Sequence, residues 1–124
     1  MTLNEYQEKA MTTCMPSCDN FIYMMLNLVG EVGEFSSKIA KAIRKEQGIM
    51  DGENFVFYKF QEEGGPTARE LKAELMKEAG DILWQLAGLC RIMGWELEDV
   101  ARGNLNKLAS RAERGVIDGN GDNR

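Results

Sequence analysis

Histidine is absent from this chain, proline occurs twice and cysteine three times. Each shortage narrows what the protein can be. A zinc site is built from Cys and His ligands, and here the sole close cysteine pair, Cys14 and Cys18 around Pro16, has no histidine to complete it. An odd cysteine count with Cys90 far away in an apolar run reads as free thiols in a reducing compartment. No apolar run approaches the roughly 18 residues of a membrane span. The opening Met1-Thr-Leu-Asn-Glu-Tyr-Gln-Glu lacks the basic and apolar regions of a secretory signal, so the expected location is cytoplasmic. Basic charge is also short: fifteen Lys and Arg against twenty Asp and Glu leave a formal charge of -5. That is the wrong sign for broad contact with a nucleic-acid backbone. A small anion remains compatible if cations bridge it.

What is present is helical periodicity. With 124 residues, 44% of them hydrophobic, the chain can bury one core and form one domain. Apolar spacing and capping residues predict four helices. The first opens on the capping box Thr2 and Glu5, turns Leu3, Tyr6, Ala10 and Met11 toward a core, and is broken at Pro16 and Ser17. The second, over 20–45, takes Asp19 as its cap and carries Phe21, Met25, Leu28, Val32, Phe35, Ile39 and Ile43 along one stripe. A third, over 67–93, follows Pro66 with the box Thr67 and Glu70 and stops at Gly94. The fourth spans 96–113 through Leu97, Ala101, Leu105, Leu108 and Ala112. The predicted fold is therefore all-α and four-helix-bundle-like over residues 1–113. Residues 48–65 interrupt it with Phe55, Val56, Phe57, Tyr58 and Phe60, an aromatic-rich insertion without helical period that reads as a hairpin or flap. Residues 114–124, with three glycines, read as an irregular tail leaving the bundle.

Two pairs of acids stand out. Glu31 with Glu34, and Glu78 with Asp81, are each three residues apart, so each pair shares a helix face. Both pairs fall along the edge of an apolar stripe, where packing of the two helices would bring them together. Four converging carboxylates repel and raise one another's pKa unless cations sit between them. Magnesium suits the oxygen donors, keeps several waters and joins carboxylates to phosphates; manganese would substitute. Gly30, Gly33 and Gly80 sit beside these acids, each costing a helix about 1 kcal/mol relative to alanine, which close helix crossing would offset. The plainer reading is a solvated face, in which an i,i+4 pair such as Glu34 with Lys38 contributes about 0.3 kcal/mol.

On the fourth helix Asn104, Lys107 and Arg111 line up beside the apolar face, and Lys38, Lys41 and Arg44 do so on the second. Such cations would compensate phosphate oxygens that a metal leaves uncovered; snorkelling surface chains would look the same. Trp84, one turn after Asp81, is a candidate for contact with a base or a partner.

The segment Gly30-Glu-Val-Gly-Glu34, followed by Glu78-Ala-Gly-Asp-Ile-Leu-Trp84, resembles the MazG-like nucleotide pyrophosphohydrolases. The resemblance runs from about Leu28 onward and includes Asn104-Leu-Asn-Lys-Leu-Ala-Ser-Arg111 and the closing Gly-Asp-Asn-Arg124. It implies an all-α homodimer or homotetramer that hydrolyses a nucleoside triphosphate between the α and β phosphates. Carried onto this sequence, Glu31, Glu34, Glu78 and Asp81 become magnesium ligands, with Glu31 or Glu34 handling the attacking water. Lys38, Trp84, Asn104, Lys107 and Arg111 become substrate contacts. The forty-three residues between Glu34 and Glu78 exceed the family's usual spacing. Gln85 stands where many relatives carry an aromatic residue. A non-catalytic helical module that binds nucleotide or a partner is the alternative from another class, separable by whether binding depends on magnesium.

Overall fold

A computed structural model describes residues 1–58 and 63–124. Its elements are α1 (Leu3–Met11), a short 3-10 turn (Pro16–Cys18), α2 (Phe21–Arg44), strands β1 (Gly48–Asp51) and β2 (Asn54–Phe57), α3 (Ala68–Ile92) and α4 (Leu97–Glu113). Both predicted capping boxes form. The Glu5 amide donates to Thr2 Oγ1 at 3.0 Å while the Thr2 amide donates to Glu5 Oε2 at 2.8 Å. Thr67 and Glu70 repeat the exchange at 3.1 and 3.0 Å. Reciprocal bonds of this kind satisfy amides that a helix start leaves unpaired. The cap of α2 is Asn20 rather than Asp19, its Oδ1 accepting from the Tyr23 amide at 2.9 Å. Asp19 instead pairs with Arg91 at 2.6 Å, tying the start of α2 to the end of α3.

Helices α2 and α3 form the central antiparallel pair: Met24 meets Gly88, and further along Lys38 meets Glu78. Gly88 marks the tight crossing, since a Cβ there would lie 2.5 Å from Met24 Sδ. The glycines beside the acids do no such work. A Cβ on Gly33 or Gly80 would meet nothing within 4 Å, and on Gly30 merely Asn27 Oδ1 at 3.4 Å. Of the predicted α2 stripe, Leu28, Phe35 and Ile39 are partly covered, while Phe21, Met25, Val32 and Ile43 are exposed.

α1 and the start of α4 close one end of this pair. Met11, Ala87, Cys90 and Leu97 make the buried core there, with Tyr6, Ala10 and Trp84 packed against it. Leu3 is exposed; beside Met11 the buried member of its helix is Gln7. The Gln7 amide nitrogen donates to the carbonyls of Ala87 (3.1 Å) and Trp95 (3.0 Å), and its oxygen accepts from the Leu97 amide at 3.2 Å. Asn4 Oδ1 accepts from the Glu98 amide at 3.0 Å. Two side chains of α1 thus cap α4, whose own cap residue Glu96 makes no such bond.

The chain is mostly helical rather than all helical. Residues 48–57 form an antiparallel hairpin, Gly48 opposite Phe57 and Asp51 opposite Asn54, with Gly52 at φ +63° in the two-residue turn. Phe55 and Phe57 meet edge to face at 5.0 Å, the sole aromatic ring pair among the described residues. The predicted aromatic insertion therefore makes no larger cluster here; Phe60 lies outside the described residues. Residues 114–124 are irregular, yet they fold back. Arg124 donates to the carbonyls of Val116 (3.1 Å) and Ile117 (3.2 Å), and Arg114 Nη2 reaches the Arg124 carbonyl at 2.6 Å.

Candidate metal centre

Helical phase explains where the acids go. Glu31 lies three and four residues from Leu28 and Phe35 on the face of α2 that α3 partly covers, so Glu31 itself is partly buried. Glu78 occupies the corresponding face of α3 and keeps 14% side-chain exposure. Asp81, one turn on, is exposed. One carboxylate oxygen from each of Glu31, Glu78 and Asp81 lies within 4.8 Å of the others. Glu34, the fourth predicted acid, is exposed and stands outside that group.

The electrostatics match the crowding. Burial pushes the Glu31 carboxyl above its ordinary range, and the charge of Asp81 adds to this. The amide of Asn27, donating to Glu31 Oε1 at 3.2 Å, opposes the shift. Glu78 and then Glu34 add smaller upward pushes. The partly buried Lys38 ammonium lies 3.1 Å from Glu78 and places a positive charge at the cluster's edge.

Three hard oxygen donors at this separation, with repulsion to relieve, fit a divalent cation of the magnesium type. A further polar demand lies on the same side of α3: Gln85, one turn past Asp81, is 3% exposed, and its Oε1 has no hydrogen-bond partner. A buried acceptor without a donor marks a place where water or a ligand group belongs.

The other predicted contacts are distributed differently. The Trp84 indole N–H donates to the Ala10 carbonyl (3.0 Å) and Thr13 Oγ1 (3.1 Å). Its polar edge is thus spent on docking α1. Lys107 and Arg111 converge on one oxygen of Asp122, at 3.3 and 3.1 Å. Arg111 is 5% exposed. Asn104 is exposed, as is every residue of α4 from Arg102 to Ser110. Within one chain Lys107 and Arg111 of this basic stripe are engaged by Asp122 of the C-terminal segment rather than by the acids of α2 and α3.

Two tyrosines near the acids escaped the sequence reading. Burial and then the charge of Asp81 raise the Tyr6 phenol, while Tyr23 is raised first by its hydrogen bond to Cys18, with Glu31 a smaller cause. Tyr6 was visible as an apolar-face residue of α1, but nothing in the sequence indicated that α1 would lie alongside Asp81. All three cysteines are free.

Glu31 of α2 with Glu78 and Asp81 of α3 thus make a carboxylate cluster of the kind that can hold a metal ion between two helices. The particular family follows from comparison. The model of the MazG nucleotide pyrophosphohydrolase domain matches residues 20–116, and the chain belongs to that family. It is also similar to the Gene 37 protein of Mycobacterium phage L5, 36% identical over 108 residues that cover 87% of this chain and 80% of the relative. No solved structure matches with significance. Among the described residues, no helix is long and apolar enough to cross a membrane.

Proposed function

We propose that the protein hydrolyses nucleoside triphosphates between the α and β phosphates, with magnesium held by Glu31, Glu34, Glu78 and Asp81. The observation that carries this reading is the convergence of Glu31, Glu78 and Asp81 within 4.8 Å in a chain of the MazG family. When bound, magnesium neutralises phosphate oxygens and makes a coordinated water more acidic. Glu31 and Glu34, both on α2, orient the attacking water and accept its proton. Lys38 sits near enough to the cluster, 3.1 Å from Glu78, to hold a phosphate oxygen once the cation neutralises that acid. Water adds across the anhydride, and nucleoside monophosphate and pyrophosphate leave.

The active unit is proposed to be a homodimer or homotetramer. Ile22, Leu26 and Val29 are 70%, 71% and 67% exposed on one stripe of α2, and Leu105 of α4 is 66% exposed. An exposed apolar stripe such as that of α2 is the kind of surface that a second copy covers. A second copy covering it can bring Asn104, Lys107 and Arg111 to acids that α4 does not reach within its own chain. Lys107 and Arg111 already share an oxyanion partner in Asp122, which supports their assignment to phosphate.

Incubation of the purified protein with a panel of triphosphates and magnesium is expected to release pyrophosphate and monophosphate. Folded Glu34→Gln should lose about 10²-fold or more in turnover, as removal of a general base does, and Asp81→Asn should also lose activity. Orthophosphate as the first product would reject the assigned bond. Binding of nucleotide without any turnover would reject the enzyme.

A further inference from the structure

Asn27 occupies the face of α2 one turn before Glu31, and its amide nitrogen donates to Glu31 Oε1 at 3.2 Å. We infer that Asn27 is a positioning residue for the metal centre, holding the Glu31 carboxylate in the orientation that presents it to the cation. This inference rests on the proposed role of Glu31 as a metal ligand.

The physical case starts from freedom. A glutamate side chain has three rotatable bonds, and an ion that needs several oxygens in fixed directions gains when that freedom is already spent. A donor on one carboxylate oxygen removes much of it and leaves the second oxygen, with one lone pair of the first, for the ion. The donor's chemistry matters as much as its place. A lysine or arginine at this position would also orient Glu31 but would add a positive charge that competes with the cation. The carboxamide orients without charge. Asn27 is itself partly buried, so its rotamer is restrained by packing. Its Oδ1 lies 3.4 Å from where a Cβ on Gly30 would stand. That is an ordinary contact distance, so the amide does not by itself require a glycine there. An ordinary i,i+4 contact would look similar in a static structure, but it would stabilise the helix by a few tenths of a kcal/mol and leave metal affinity untouched.

The two readings separate by measuring Mn2+ binding to the metal-free protein by electron paramagnetic resonance, alongside thermal melting. Asn27→Leu keeps the shape and removes the donor; Asn27→Ala is the smaller alternative; Asn27→Gln restores a donor with i,i+4 reach. Loss of an outer partner of a metal ligand typically weakens binding about 10–100-fold. That loss is expected for Leu and Ala, with melting little changed and affinity largely recovered in Gln. Wild-type Mn2+ affinity in Asn27→Leu and Asn27→Ala, while Glu31→Gln binds poorly, would overturn the positioning role alone. Wild-type affinity in Glu31→Gln as well would overturn the ligand assignment, and the inference with it.

Discussion

At the scale of single residues, the acid cluster is a source of instability as well as of chemistry. In the metal-free protein Glu31 is held above its ordinary value of 4.5, by burial first and Asp81 next. A carboxyl whose folded pKa is raised favours folding when protonated. Its contribution is full below the unfolded value and is lost as pH rises through the folded value. Near neutrality the ionised group therefore opposes folding. Glu31→Gln, which removes that charge and still accepts from Asn27, is expected to melt higher than wild type at pH 7 in chelator. The difference should vanish as pH falls below 4.5. Thermal denaturation across that range measures it, and a lower melting point for the variant at pH 7 would contradict the assigned cause. The variant should also lose activity.

Among the elements, α1 connects what the central pair leaves apart. Gln7 bonds to Ala87, Trp95 and Leu97, and removing it deprives the Trp95 carbonyl and the Leu97 amide, which lie outside the ladder of α3, of their partner. Each buried group left unpaired costs about 1–3 kcal/mol, so Gln7→Leu is expected to lower the urea midpoint substantially despite the gain in apolar character. A midpoint within error of wild type would show that water replaces those bonds. Gln7 also shows where sequence reading reaches its limit. Helix periods, both capping boxes and the placing of Glu78 and Asp81 on one face of α3 were legible because they depend on spacing within an element. Asn20 displaced Asp19 as the cap of α2 because Arg91, seventy-two residues away in α3, claims the aspartate. Trp84 pointed toward α1 for a similar reason: the carbonyl and hydroxyl it bonds lie far away in sequence. Gly33 and Gly80 looked like helix-crossing residues by position, yet the crossing falls at Gly88, where Met24 arrives from α2. Contacts between distant elements leave little local trace.

For the whole molecule, the exposed apolar stripe of α2 is the surface on which the proposed homo-oligomer rests. Leu26→Asp places a charge on a residue that is 71% exposed in the single chain, so it should leave the folded monomer unharmed. Sedimentation is expected to show wild type as a dimer or tetramer and Leu26→Asp as a smaller species. If the second copy supplies the basic stripe, activity should fall in parallel. Equal sedimentation of the two proteins would remove that surface from the interface. The same exposed stripe has a consequence in mass action. If α4 finds much of its packing on another copy, then association stabilises the fold, and the melting temperature rises with protein concentration. Specific activity, measured per mole of chain, should then decline on dilution before any chain unfolds, so that the enzyme's output depends on how much of it is present.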